Sequence, residues 1–362
     1  ILGFPLMCLL ELKSWWEILL GMGRSISLKV LMITDVHFGD VIPGYLDSQV
    51  ECLKNIYNSD NFDHVLILGD VFIRRSPKPN VLLKTQGFLE YISKKSDVTI
   101  IKGNHDAETK ADDGVTALSL FTTSKVRVFE HIGADNEMGW FFIPHYENET
   151  IIREALESCP EHYLVFGHFG YDSYMSHAGQ YGGIISLDDF HNRTFLGHLH
   201  SNVTKSGVTV LGTQYTTTYR ENEKVSWYGV LEGDPYNWTY TQKKVEGFGG
   251  PRHLTYDIED VYPNLEKIND PSYFTLLRVW IDSLSGDNTV SLQDDLLKFC
   301  KVKQIDIQYN PVFTDEEISN YTPSGDIFSI TDDMIDSYIE QTTTTLSKQD
   351  LLESLQTLKN AD

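Results

Sequence analysis

Five short apolar runs in this sequence each end in side chains that can bind metals or transfer protons. Each run has the length and composition of a strand buried on both faces of a sheet. Ligands of α/β proteins bind where the carboxyl ends of such strands meet, so the five runs predict a single site. The runs and the side chains that follow them are LKVLMIT before Asp35 and His37, DHVLILG before Asp70, DVTIIKG before Asn104 and His105, HYLVFG before His168, and RTFLG before His198 and His200.

Amphipathic segments between these runs predict helices over residues 45–57, 80–94 and 149–158. Strands that alternate with helices are typical of a layered α/β domain. After about residue 233 the pattern changes to that of a smaller α+β unit. Its predicted elements are strands over 237–245, 273–282 and 304–312 and a helix over 291–301.

The side chains that follow the runs form a mixed set of metal ligands. They offer three oxygen donors and four imidazoles, namely Asp35, Asp70 and Asn104 with His37, His168, His198 and His200. Such a set suits Mn, Fe or Zn better than Mg or Ca, which prefer nearly all-oxygen shells. Asp70 can bridge two ions through its two carboxylate oxygens. Two ions ~3.5–4 Å apart would clamp a phosphate and activate a water.

Each motif alone has an ordinary structural explanation. A DxH pair is common, a GD after a strand is often a turn, and GNHD can cap a helix. All five occur in order, each after an apolar run, and this combination favours a metal site. We expect the remaining histidines to be structural or on the surface, namely His64, His131, His145, His162, His191 and His253.

The charge of the chain limits how it can bind a polyanion. It has 29 Lys and Arg against 52 Asp and Glu, a formal net charge of −23. A broad basic surface for nucleic acid is therefore excluded, and metal ions would have to supply positive charge to a phosphate. The four cysteines lie far apart without a CxxC pair. This spacing argues against a disulfide framework and fits a reducing, cytoplasmic environment.

Residues 1–21 are apolar, but Glu11, Lys13 and Glu17 interrupt them too early for a membrane span. They also lack the layout of a signal peptide. We expect an upstream or non-native extension here, with an amphipathic interfacial helix as the alternative.

The other end of the chain is acidic. From Gln304 to Ser347 there is no Lys or Arg, while nine Asp and Glu accumulate, which predicts an extended acidic linker over 313–330. Capping patterns at Thr331 and Ser347 predict two short helices within 331–362.

The ordered motifs DxH, GD, GNHD, His and GHxH make residues 28–232 resemble the calcineurin-like metallophosphoesterases. Within that group the chain is most similar to SbcD-type DNA double-strand-break repair nucleases, including the recombination endonuclease subunits of phages. The segments that carry this second resemblance are DVHFG, GDVFIRRSPKP and VLGTQYTTTYRENEKVSWYGVLEGD.

The resemblance implies a layered β-sandwich with flanking helices over 22–233, a capping domain over 234–312 and an ATPase-binding helical segment over 331–362. It implies one metal held by Asp35, His37, Asp70 and His200, and a second held by Asp70, Asn104, His168 and His198. His105 would contact the leaving oxygen, and Asp106 would support the His105 loop. Two positions depart from the family pattern, since Ile73 stands where a His often serves exonuclease action and Gln214 replaces a Pro.

The implied function is a Mn²⁺-dependent nuclease that cleaves DNA ends in recombination and double-strand-break repair. A phosphoprotein phosphatase or small-nucleotide phosphodiesterase is the alternative within enzymes, and an acidic scaffold with a vestigial site is the alternative outside them. Candidate DNA contacts are Arg74, Arg75, Lys78 and His177. They adjoin or lie between the ligand motifs.

The resemblance also implies partners. These are a homodimer formed by segments near Val81–Leu82 and Val115–Leu120, and an SbcC-type coiled-coil ATPase. The ATPase would be bound by the C-terminal helices through Met334, Ile335, Tyr338, Leu351, Leu355 and Leu358. No membrane association is expected, and the location is the cytoplasm, or the host cytoplasm for a phage protein.

Overall fold

The computed structural model describes residues 27–172, 174–176, 179–180, 182–222, 224–235, 237–281 and 289–309. Four features predicted from the sequence therefore lie outside the described residues: the extension over 1–21, His177, the acidic linker and the C-terminal helices.

Seventeen strands and six α-helices make up the described part of the chain. The strands are β1 Leu28–Ile33, β2 His64–Leu68, β3 Asp97–Ile101, β4 Val126–Phe129, β5 Gly133–Asp135, β6 Trp140–Ile143, β7 Leu164–Gly167, β8 Met175–Ser176, β9 Gly179–Gln180, β10 Thr194–Leu196, β11 Val203–Lys205, β12 Val208–Val210, β13 Trp227–Asp234, β14 Asn237–Lys244, β15 Pro251–Asp257, β16 Phe274–Ile281 and β17 Gln304–Tyr309. The helices are α1 Tyr45–Asn58, α2 Pro79–Ile92, α3 Glu149–Ser158, α4 Ile258–Val261, α5 Leu265–Ile268 and α6 Thr289–Phe299.

Two six-stranded sheets form the centre of the molecule. The first has the order β14-β13-β1-β2-β3-β4, and the second has the order β11-β12-β10-β7-β6-β5. Strands β1 to β4 are mutually parallel, and so are β6, β7, β10 and β12. The carboxyl ends of the motif-bearing strands therefore meet at one edge of each sheet.

The alternation of side chains along each strand divides the core into three layers. Val30 and Met32 of β1 face a cluster shared with Trp140, Phe166 and other residues of the second sheet. Leu31 and Ile33 of the same strand face the opposite way, into a core covered by α1 and α2. On the outer face of the second sheet, α3 covers a third cluster. The predicted layered α/β sandwich with flanking helices is confirmed.

A three-stranded parallel sheet, β15-β16-β17, follows the sandwich, and we call it the cap. Its core is closed by α4, α5 and α6. The sequence analysis places the start of the second unit at residue 234. Strand β14 pairs along its whole length with β13 at the edge of the first sheet, so the change to the cap falls after Lys244. Asp234 pairs with Asn237 at this end of the two strands, which is where the sequence pattern changes.

Among the described residues, no helix has both the length and the apolar composition needed to cross a lipid bilayer.

Candidate metal centre

The loops that leave β1 and β2 continue the parallel pairing of those strands. The backbone N–H of Asp35 donates to the carbonyl of Gly69 at 3.0 Å, and that of His37 donates to the carbonyl of Asp70 at 2.9 Å. Asp35, His37, Asp70 and His198 all have positive φ, between 48° and 75°. Asp and His accept this left-handed conformation more readily than most residues do, and it turns their side chains toward a common point.

One group of ligand atoms gathers around the end of β1. The Nε2 atoms of His37 and His200 lie 3.2 Å apart. Asp35 Oδ1 is 3.7 Å from Nε2 of His200 and 4.0 Å from that of His37. Asp70 Oδ2 is 3.7 Å from His37 Nε2. These are the four residues predicted for the first metal.

A second group surrounds the amide of Asn104. Its Oδ1 lies 3.0 Å from Nδ1 of His198 and 3.2 Å from Nε2 of His168. Asp70 Oδ1 is 3.3 Å from the same His168 nitrogen. Asp70 therefore faces the first group with one carboxylate oxygen and the second group with the other. The structure brings all seven predicted ligands together, and Asp70 joins the two groups.

Hydrogen bonds behind these ligands fix their orientation. His168 Nδ1 donates to the carbonyl of Leu68 at 2.6 Å, which turns Nε2 toward the centre. His200 Nδ1 donates to the buried carboxylate of Glu221. Asp35 Oδ2 accepts from the backbone N–H of His198 at 3.0 Å and so connects the two sheets. Such outer hydrogen bonds set the tautomer and orientation of metal-binding imidazoles.

The charges of the site fit a bound cation. Asp35 and Asp70 are 0% and 2% exposed. In the described part of the chain, their only ion-pair partners are imidazoles. Burial disfavours the charged His168 ring, but the attraction of both carboxylates outweighs it and raises the pKa of His168 to about 9. Buried carboxylates require positive charge nearby, and a divalent ion supplies it where His168 otherwise needs a proton.

Two glycines allow the groups to approach one another. A Cβ on Gly103 would lie 2.2 Å from the backbone nitrogen and Oδ1 of Asp70. A Cβ on Gly69, whose φ is 84°, would lie 2.2 Å from Nδ1 of His168. Any larger residue at either position would displace a predicted ligand.

His105 and Asp106 occupy different positions at this centre. The His105 ring packs edge-on against His37, and its Nδ1 donates to the carbonyl of Ile73 at 3.0 Å. The Asp106 carboxylate is buried and accepts from the backbone N–H groups of Gly103 at 2.9 Å and Phe72 at 3.0 Å. Asp106 therefore ties the loop after β3 to the loop after β2.

The candidate DNA contacts lie on the loop after β2. Arg75 donates to the carbonyls of Ala107 and Thr109 and pairs with Glu147 at 3.2 Å. Lys78 lies 3.7 Å from Asp40, and Arg74 is exposed. The structure thus gives Arg75 an internal bridging position and leaves Arg74 and Lys78 at the surface.

The sequence model of the calcineurin-like phosphoesterase family matches residues 28–202. The sequence of these 175 residues, out of 362 in the chain, is similar to that of a calcineurin-like phosphoesterase domain. Members of this family use divalent metals, and two sets of described residues lie close enough together to hold an ion, namely Asp35, His37 and His200, and Asp35, Asp70 and His168. The domain is therefore a metal-dependent phosphoesterase.

Solved structures similar to this chain include the nuclease MPE of Pseudomonas putida, with 15% identity and a TM-score of 0.31 over 59% of this chain and 87% of that one. An archaeal phosphodiesterase matches at 13% identity and a TM-score of 0.32 over 60% of this chain and 99% of that one. No curated protein matches the chain.

Two residues of the phosphoesterase site were missed from the sequence. Glu221 lies in a segment of irregular pattern, and nothing near it shows that its carboxylate meets His200. The other is His145, which we expected to be structural. Its ring lies 5.9 Å from that of His198, and both of its nitrogens are buried without a hydrogen-bond partner among the described residues. His145 follows the apolar strand β6, so the rule that found the seven predicted ligands would have placed it at the same edge of the sheet.

Glu221 allows a first prediction. Its carboxylate is ionised because His200 and Lys224 outweigh the effect of burial and lower the pKa of Glu221 to about 2. We expect Glu221→Gln to reduce Mn²⁺ affinity about 10–100-fold, because a neutral amide holds His200 Nδ1–H less strongly. Calorimetric titration of metal-free protein with Mn²⁺ measures this. Glu232→Gln, at an exposed carboxylate, is the control, and equal Mn²⁺ affinity in both variants would contradict the prediction.

Proposed function

We propose that this chain is a dimetal, Mn²⁺-dependent DNA nuclease subunit. The observation that carries the proposal is the pair of ligand groups joined by Asp70, one around His37 and His200 and the other around Asn104, His168 and His198. Four imidazoles with three side-chain oxygens favour Mn²⁺ over Mg²⁺. A bridging carboxylate between two such groups is the arrangement that phosphoester hydrolysis by two ions requires.

When bound, the two ions supply a Lewis acid for the phosphate oxygens and lower the pKa of a water molecule. Asp70 would hold both ions, because one of its oxygens faces His37 and the other faces His168. Asn104 presents a neutral oxygen between two imidazoles, which limits the negative charge next to the phosphate. His105, oriented by the carbonyl of Ile73, hydrogen-bonds or protonates the leaving sugar oxygen through its other nitrogen.

DNA is proposed as the substrate because the segments that flank the metal motifs resemble those of SbcD-type nucleases. The cap supports this choice. Its strand β15 is hydrogen-bonded to Asn222, the residue after Glu221. The Thr255 N–H donates to Asn222 Oδ1 at 3.0 Å, and Asn222 Nδ2 donates to the Thr255 carbonyl at 2.9 Å. The cap thus adjoins the metal centre, where it would narrow access and contact DNA. The cellular role that we propose for this nuclease is recombination and double-strand-break repair in the cytoplasm.

The experiment that tests this function compares substrates on one preparation. Metal-stripped protein is supplied with Mn²⁺ and incubated with linear duplex DNA, a phosphopeptide and a nucleoside monophosphate. Shortened DNA products would support the nuclease. Release of phosphate from the small esters alone would instead identify a phosphatase of the same family.

We propose that the C-terminal helices dock on an SbcC-type ATPase. Short isolated helices of ~10 residues are marginal in water, so the apolar residues predicted within 331–362 need a partner surface. Deleting residues 330–362 should preserve Mn²⁺-dependent cleavage of flapped DNA and abolish ATP-stimulated cleavage and co-purification with the ATPase. Unchanged binding of the ATPase by the truncated chain would refute the proposal.

A homodimer through α2 and the segment after β3 is a further proposal. Leu83 and Leu120 are 68% and 74% exposed, and both line a shallow apolar depression. We expect the double substitution Leu83→Glu and Leu120→Glu to convert a dimer into a monomer, because it places charges in the interface. Light scattering at micromolar concentration measures the mass. Leu297→Glu, at an exposed leucine of the cap, is the control, and a wild-type monomer would end this proposal.

A further inference from the structure

A cavity of about 210 Å³ lies between the sandwich and the cap, and none of the predicted metal ligands lines it. We call it the cap cavity. Its sandwich side is formed by the loops on either side of Glu221, and its cap side by β15 with α5 and the residue that precedes β16. The lining residues on which the argument depends are Thr216, Lys224, Arg252, Lys267 and Tyr273.

The charge of this lining is opposite to that of the chain. Lys224, Arg252 and Lys267 bring three cationic side chains to one cavity, and its lining contains no carboxylate. The formal net charge of the whole chain is −23. Asp270 and Glu221 approach from outside the lining, 4.0 Å from Arg252 Nη1 and 3.6 Å from Lys224 Nζ respectively. The lining is therefore a positive site within an acidic protein.

Arg252 is held rigidly and retains an unused donor. Its Nη2 donates to Thr275 Oγ1 at 3.1 Å and to the carbonyl of Lys267. The guanidinium carbon lies 4.2 Å from the ring centroid of Tyr273, in a cation–π contact. Its Nε is buried without a hydrogen-bond partner among the described residues. A buried donor left unsatisfied costs about 1–3 kcal/mol, and this one belongs to a side chain that lines the cavity.

Lys224 lies on the sandwich side of the same cavity. Its side chain is 12% exposed, and its Nζ donates to Thr213 Oγ1 at 3.0 Å. An ammonium group has three N–H donors, so Lys224 can serve a further acceptor beside Thr213 and Glu221. Lys267, which is exposed, stands at the rim.

We propose that the cap cavity binds a phosphate group. A guanidinium and ammonium groups are the side chains that recognise phosphate, the first through directed N–H bonds and the second as point charges. The volume admits a phosphate with part of the sugar to which it is attached. Nucleotides and nucleic-acid strands both carry this group. The cavity is lined by none of the predicted metal ligands, so the inference holds whether or not the metal centre cleaves DNA.

The test uses full-length protein from which metal has been removed by dialysis against a chelating resin, so that no ion at the metal centre can hold phosphate. Calorimetry follows titration with inorganic phosphate, with deoxyadenosine monophosphate and with an octathymidylate that lacks terminal phosphates. Binding of the small phosphates identifies a free nucleotide or phosphate ligand. Binding of the oligonucleotide alone identifies a strand phosphate. Both outcomes support the proposal.

Two variants locate the binding. Arg252→Met and Lys267→Met should each weaken it about tenfold or more, because each removes a charged hydrogen-bond donor. The matched controls are Arg278→Met, at an arginine of β16 that pairs with Asp306 at 2.6 Å, and Lys244→Met, at an exposed lysine outside the cavity. Lys267 is exposed, so its variant remains informative if Arg252→Met unfolds. No binding of any probe, or equal binding by cavity and control variants, would overturn the inference.

Discussion

Asp70→Asn is expected to abolish phosphoester hydrolysis and to lower metal occupancy while the fold is retained. The substitution removes the charge that joins the two ligand groups, and the loss of several kcal/mol of electrostatic stabilisation corresponds to at least about 10³-fold in rate. Asn keeps an oxygen that can accept the N–H of His105, which Asp70 Oδ1 accepts at 2.8 Å. It also tolerates the φ of 51° at this position.

Elemental analysis of bound metal, hydrolysis rates and a thermal melt measure the three parts of this expectation. Asp112→Asn is a matched control, because Asp112 also has positive φ, 54°, and accepts backbone N–H groups in a loop outside the predicted ligand set. Substantial Mn²⁺-dependent hydrolysis by Asp70→Asn would show that Asp70 is a turn residue and does not hold metal.

His105→Ala is expected to lose on the order of 10²–10⁴-fold in rate with near-normal metal content. The ring contacts His37 by its edge and is anchored to the carbonyl of Ile73, and the backbone N–H that donates to Asp70 is kept in alanine. Its loss should therefore remove a proton or hydrogen-bond donor and leave the ligands in place. Single-turnover rates and Mn²⁺ titration measure the two effects separately.

His191→Asn is the control for this variant, because His191 is exposed and is not one of the predicted metal ligands. If His105→Ala loses metal in proportion to its rate, His105 belongs to the coordination shell and the assigned role is wrong. A rate close to that of the wild type would instead mean that the leaving oxygen departs without help from this residue.

The grouping of the ligands could be predicted from the sequence because two simple regularities act together. Apolar runs of five to seven residues identify buried strands, and parallel strands must bring their carboxyl ends to the same edge. These two regularities were enough to predict that Asp35, Asp70 and His168 lie close together. The helices α1 and α3 were predicted within one residue at each end for the same reason, since a buried face repeats at helical spacing.

What could not be predicted depends on contacts between distant, irregular segments. Glu221 lies in a short 3₁₀ turn, and its meeting with His200 follows from how the cap holds that turn. Gln214 stands where the family pattern has a Pro, and its buried amide accepts the Thr34 N–H at 3.3 Å and donates to the Trp227 carbonyl at 3.1 Å. The spacing of apolar residues along the sequence does not predict such hydrogen bonds between distant segments. The edge strand β14 was grouped with the second unit because the sequence pattern changes after about residue 233. Its alternating polar residues are typical of a half-exposed strand at a sheet edge.

Four predicted metal ligands have a left-handed backbone, namely Asp35, His37, Asp70 and His198. Their strain makes the free energy of unfolding of this protein depend on bound metal. Non-glycine residues in that conformation cost about 1–3 kcal/mol each, and two of these four also bury a carboxylate. An ion that binds only the folded chain returns stability by mass action, about 2.7 kcal/mol when it is 100-fold above its dissociation constant. A cell short of the metal would therefore lose folded protein to proteolysis as well as activity. The amount of folded protein in the cell would then fall with the metal concentration, independently of any effect on catalysis.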